Sequence, residues 1–234
     1  MQQLSATIVP TLTPPPPGAQ LVIFSDQRNY VAEIDSSMML AAASRYAVRH
    51  NVYLVPERFI AANYLCLCML SPTGEVIGVQ RATHLNLGLR EHNFFRDDKI
   101  QAFDTPFGKI ALLVDVDIYM PQVVRAAVMD GATLLLSSQF IQLYDFFEDR
   151  IRYGAINAAL SNGVQVVAAA GLGGVIVDAN GHEIAGFSED LPVTAQIETI
   201  DTPYSSALMH TAQALLRAHK DLIEAPRGED TSHV

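Results

Sequence analysis

The chain has 234 residues; half are hydrophobic, 17% are charged, and 25 acidic residues against 15 Lys and Arg give a formal net charge of −10. That length and apolar content argue against disorder and suit one α/β domain with a buried core. The acidic balance argues against binding a phosphate backbone, which needs clustered basic residues. The only two cysteines, Cys66 and Cys68, stand too close in sequence to build a disulfide scaffold.

Leu4 to Val9 reads as a strand, followed by Pro10 and the run Pro14 to Pro17. Four consecutive prolines exclude a helix interior or central strand, so a stiff extended connector is expected. Leu21 to Phe24 is a short apolar run, as in a strand buried on both faces. Asp35, Ser36 and Ser37 offer helix N-caps before Met39, Ala42, Ala43, Tyr46 and Ala47 at helical spacing, and Asn51 stops that helix. Val52 to Val55 is a strand. Tyr64 to Leu70 and Glu75 to Gln80 flank Ser71-Pro72-Thr73-Gly74 and predict a hairpin.

Between Ile100 and Asp117 a turn at Thr105-Pro106-Phe107-Gly108 separates two apolar segments. Met120, Val123, Val124, Ala127 and Val128 mark one helix face, ended by Asp130-Gly131. Thr133 to Leu136 is a buried strand, and Phe147 to Leu160 an alanine-rich helix. Val164 to Ala169, Gly174 to Val177 and Glu183 to Phe187 are strands, with a turn at Asn180-Gly181. Leu208 to His219 predicts a final helix, and the polar tail from Pro226 is expected to be mobile. Alternating strands and helices with several hairpins imply a mixed sheet system covered by helices. Residues 163–177, the longest weakly polar stretch, fall short of the roughly 20 apolar residues of a membrane span. No basic segment followed by an apolar core opens the chain, so a soluble cytoplasmic protein is expected.

Five segments, in order, resemble one family. They are "SPTGEVIGVQRATHLNLG", "EHNFF", "FDTPFGKIALLVDVDIYMPQVVRAAVMDGATLLLSS" and "GVQVVAAAGLGGVIVDANGHEIAG", with the strand Leu21 to Phe24 ahead of them. Together they are similar to the carbon–nitrogen hydrolase, or nitrilase, superfamily. The resemblance implies an α/β fold of the αββα sandwich type in a single domain over residues 20–200. Residues 1–19 would hold the N-terminal strand and proline-rich connector, and 201–234 the C-terminal helix and tail. It also implies hydrolysis of nitriles, amides or carbamoyl amines by a Glu-Lys-Cys triad, with the cysteine on a strand-to-helix elbow and a second glutamate nearby.

All three triad positions differ here. The segment that carries the family's base reads Phe24-Ser25-Asp26, so Asp26 replaces glutamate. The lysine segment reads Gln80-Arg81-Ala82-Thr83-His84-Leu85, so Ala82 replaces lysine. The cysteine segment reads Asp115-Val116-Asp117 before Met120-Pro121-Gln122, so Asp115 replaces cysteine. Glu91 matches the second glutamate. Asp115 is a weak nucleophile, and its adduct with an amide would be an uphill mixed anhydride. Loss of one oxyanion donor alone costs roughly 10²- to 10³-fold. A catalytically degenerate, amidase-like pseudoenzyme acting by ligand binding or assembly is therefore expected. The alternative is a divergent hydrolase of a small amide or carbamoyl compound, with Asp115 as a base for water and a cation in place of the lysine.

If Asp26, Glu91 and Asp115 converge, they form an acidic pocket that would suit a small amine or cation, or shared protons and water. Arg81 is the nearest cation; it either turns inward to offset Ala82 or pairs with a carboxylate such as Asp117. His84 reads as structural. Cys66 and Cys68 share one strand face and read as core, because nothing completes a metal site around them. No cofactor is expected. The helix that relatives place after the first strand is replaced by prolines, which would leave a sheet face uncovered. A homodimer or a complex with a related subunit is therefore expected, through the helix after Asp117 and the segment from Asp201.

Overall fold

The computed structural model describes residues 3–25, 28–140, 148–171, 173–187 and 192–199. Asp26, the helix predicted over Leu208 to His219 and the tail lie outside the described residues. The described residues fall within one compact unit, Met1–Tyr204.

Two sheets build this unit. β1 (Gln3–Pro10) lies between β2 (Leu21–Ser25), parallel to it, and the antiparallel β13 (Val193–Glu198). β3 (Tyr53–Val55) continues the parallel run, and β4 (Phe59–Ala61), β5 (Tyr64–Leu70) and β6 (Val76–Arg81) complete the sheet in antiparallel pairs. The second sheet has a parallel centre of β8 (Gly108–Val114), β9 (Leu134–Gln139) and β10 (Gln165–Ala170). Antiparallel β7 (Ala102–Thr105) flanks it on one side, and β11 (Gly173–Val177) and β12 (Glu183–Gly186) on the other.

The sheets face each other through alternate residues, as the strand period requires. Leu4, Ala6 and Ile8 of β1, with Leu65, Leu67 and Met69 of β5, meet Ile110, Leu112 and Val114 of β8 and Val167 and Ala169 of β10. Packing is tight at Gly174, where an added Cβ would lie 2.2 Å from the Ala168 carbonyl oxygen of the neighbouring strand β10 and 2.6 Å from Ile8 Cδ1 of the facing sheet. α1 (Glu33–His50) covers the outer face of the first sheet. α3 (Pro121–Met129) and α4 (Glu148–Asn162) cover that of the second. This is the αββα sandwich implied by the resemblance.

α1 begins two residues before the expected caps. Ala32 holds the N-cap position without a side-chain bond, and Ser36 instead donates to the carbonyls of Ala32 and Ile60. Asn51 ends the helix in the left-handed conformation, as its position implies. β4, β13 and the short α2 (Leu87–Glu91) are additional to the elements read from the sequence.

The proline run does replace a helix between β1 and β2. The outward side chains of the β1–β13 pair are nevertheless polar: Ser5 faces Gln196, and Thr7 bonds Thr194 at 3.1 Å. Ser5 and Thr7 are buried there, while Thr194 and Gln196 are exposed. No described helix is long and apolar enough to cross a membrane.

Candidate active site

β8 is apolar to its end at Val114, and the chain then turns sharply at Asp115, whose φ is +52°. A 3-10 turn over Asp115–Tyr119 leads into α3, which has Pro121 in its first turn, where a missing N–H costs nothing. Non-glycine residues seldom adopt positive φ, but aspartate is among those enriched there. The strand-to-helix elbow is therefore present, with a carboxylate where the resemblance puts a thiol.

Asp115 is 1% exposed. Its Oδ2 accepts from Asn86 Nδ2 at 2.9 Å, and its Oδ1 accepts from the Phe140 N–H at 3.0 Å. Arg58 Nη1 stands 3.5 Å from Oδ1 in an ion pair. Asn86 serves twice, because its Oδ1 also caps α2 by accepting from the Leu89 N–H. A carboxylate offers about four acceptor positions, and three donors address this one.

Arg58 has no exposed surface at all. It follows β3, donates to the Arg28 carbonyl at 2.9 Å and lies over the Phe140 ring. Its neighbour Glu57 is also buried and accepts from Thr11 Oγ1 at 3.0 Å and from Arg28. Sequence reading missed both. The available signal was that Glu57 and Arg58 are the only charged residues between Val52 and Leu70.

Ala82 is fully buried, and its methyl group belongs to the inter-sheet core. Its N–H bonds the Leu65 carbonyl and its carbonyl accepts from the Asp97 N–H. Asp117, also without exposure, accepts from Thr83 Oγ1 at 2.7 Å, the Thr83 N–H at 3.0 Å and the His84 N–H at 2.9 Å. Burial pushes the Asp117 carboxyl above its ordinary range, against the pull of those hydrogen bonds and of His84. Asp117 thus fastens the elbow to the segment after β6. His84 completes that clamp, with Nδ1 3.0 Å from Thr83 Oγ1 and 3.4 Å from Asp117.

Arg81 does not turn inward; it pairs with a carboxylate, as the second reading expects, but with Asp97 in place of Asp117. It lies half-exposed over the Tyr64 ring and 3.6 Å from Asp97 Oδ2. Side chains alternate along β6, so a residue next to inward Ala82 must point outward. Glu91 does not join Asp115 either: it is exposed at the end of α2. Leu89 is the buried residue of that helix, and two residues further on amounts to about 200° of rotation. The acidic pocket expected from Asp26, Glu91 and Asp115 is therefore not assembled from Glu91 and Asp115. Among the described residues, no three His, Cys, Asp or Glu side chains gather as metal ligands would.

The model of the carbon-nitrogen hydrolase family matches residues 16–203. The chain belongs to the carbon–nitrogen hydrolase family. Solved structures agree on the fold. A carbon-nitrogen hydrolase from Helicobacter pylori G27 superposes with a TM-score of 0.70 at 17% identity, over 95% of this chain and 94% of that one. A cysteine-to-alanine mutant of the Nesterenkonia AN1 amidase, of the nitrilase superfamily, gives 0.74 at 17% identity over 93% and 97%. A mutant of the same amidase in complex with butyramide gives 0.70 at 16% identity over 92% and 96%. No curated protein matches the chain significantly. Within this family fold, Asp115 stands at the turn after β8, Ala82 lies in the core and Arg58 is the cation beside Asp115.

Proposed function

We propose that this member of the carbon–nitrogen hydrolase family does not hydrolyse amides and acts through binding or assembly. The carrying observation is the state of Asp115. A nucleophile or base needs a lone pair directed at substrate or water. The Asp115 oxygens are turned instead to Arg58, Asn86 and the Phe140 N–H, in a buried position. Asp115 then works as a structural anion that ties the elbow to the Arg58 segment and to α2.

One observation favours the second reading, a divergent amide hydrolase. Arg58 supplies a cation beside the elbow, the feature that reading requires. A guanidinium steadies negative charge but does not release its proton, so it replaces only the electrostatic half of a lysine's role. Ammonia release from butyramide, acrylamide and a panel of nitriles and carbamoyl amines separates the readings. The proposal expects no turnover above buffer. Turnover that disappears in Asp115→Asn would establish the hydrolase.

The expected assembly is a homodimer through α3 and the segment from Asp201, and we add to that surface α4, which packs against α3. Supporting it, α4 exposes Tyr153, Asn157 and Leu160 at positions i, i+4 and i+7, which form one helical face. A small amide remains the class of ligand expected at the elbow. An amine has less support, because Arg58 already occupies the flank of Asp115.

A further inference from the structure

The segment between β6 and β7 forms a concavity that shares Thr83 and His84 with the clamp on Asp117. It is a groove of about 680 Å³, and Tyr64, His84, Arg90, Phe94, Phe95 and Arg96 carry its character. Neither Asp115 nor Arg58 lines it, and no acidic side chain does. That composition is unexpected in a chain of net charge −10. Arg90 and Arg96 are exposed and, among the described residues, neither guanidinium has a carboxylate partner. The adjoining carboxylate of Asp97 is already engaged by Arg81 and by the N–H groups of Asp98 and Lys99.

The groove is held open by its backbone. The Phe95 N–H bonds the Asn63 carbonyl at 2.9 Å, the Asp97 N–H bonds the Ala82 carbonyl at 2.9 Å, and the Phe94 N–H bonds Leu89. Gln80 pins the far end through the Lys99 carbonyl and the Gln101 N–H. Phe95, 53% exposed, stays at the surface with its ring 5.6 Å from that of Tyr64. A fixed concavity joining apolar rings to unpaired guanidinium groups matches a ligand with a flat apolar body and a negative end.

We propose that this groove binds a small aromatic anion, with Arg90 and Arg96 on its carboxylate or phosphate and Phe94 and Phe95 against its ring. The site is independent of the reading given for Asp115. Calorimetric titration of the full chain with benzoate, phenyl phosphate and the neutral isostere benzamide tests it. Benzoate or phenyl phosphate binds, benzamide is at least about tenfold weaker, and added salt weakens the anion. The double variant Arg90→Ala/Arg96→Ala, shown to be folded by its melting curve, loses at least about tenfold in affinity. Arg49→Ala, at the exposed end of α1, leaves the affinity unchanged. Absence of binding by both anions at millimolar concentration would overturn the proposal. So would equal binding of benzamide, or undiminished binding by the double arginine variant.

Discussion

Asp115 and Arg58 form a buried pair whose members are 1% and 0% exposed. Removing one partner of such a pair leaves an uncompensated charge inside and costs about 3–5 kcal/mol. Arg58→Met is therefore expected to lower stability by that amount in denaturant unfolding, and adding Asp115→Asn to it should restore part of the loss. Asp117 sets a pH dependence. Its raised carboxyl means that the folded chain holds the proton to higher pH than the unfolded chain. Its contribution is thus fully present below the ordinary carboxylate pKa and lost as pH rises through the folded value. The stability advantage of the wild type over Asp117→Asn should narrow over that rise, as thermal melts at stepped pH will show. Burial pushes the thiols of Cys66 and Cys68 up to about 11 and about 12, so neither should react with a disulfide reagent at pH 8 before unfolding. Their core placement was legible from the strand period, and the Asp115 elbow from the resemblance. Arg58 was not, because a buried arginine between two short strands leaves no periodic or motif signal.

Among the elements, those that speak through one local rule were legible. The central strands are short apolar runs, and Asn51 and Asp130-Gly131 end helices where their backbone preferences lead. α1 starts earlier than its capping residues suggest because its entry is set by tertiary bonds: Glu33 accepts from the Ala62 N–H at 2.7 Å, and Ser36 reaches Ile60. α2 is a single capped turn too short for periodicity. β13 does alternate, Val193, Ala195 and Ile197 inward, and a count of matches to the strand period would have found it. Gly174 reads from the sequence as the start of a strand; its reason is the close approach of the β10 backbone on one side and of Ile8 in the facing sheet on the other. Gly174→Ala should cost about 1–3 kcal/mol, read as a lowered melting temperature, since the added methyl meets backbone and cannot be accommodated by a side-chain shift.

For the molecule as a whole, the missing helix after β1 had suggested an uncovered face seeking a partner. Ser5 and Thr7 there are buried, and Thr194 and Gln196 of β13 are exposed polar residues, so that face offers no open apolar surface, and the dimer is tested on the exposed face of α4. Light scattering should report a dimer at tens of micromolar, and Leu160→Glu on the exposed face of α4 should yield monomers with an unchanged melting profile of the fold. The larger claim is that a hydrolase fold has kept its elbow while its triad positions turned to structure: Ala82 became core and Asp115 became an anchored anion. The most direct test is ammonia release by the purified full chain from butyramide, acrylamide and the wider amide, nitrile and carbamoyl panel. No release above buffer is predicted for the wild type and Asp115→Asn alike; release by the wild type that Asp115→Asn abolishes would contradict it.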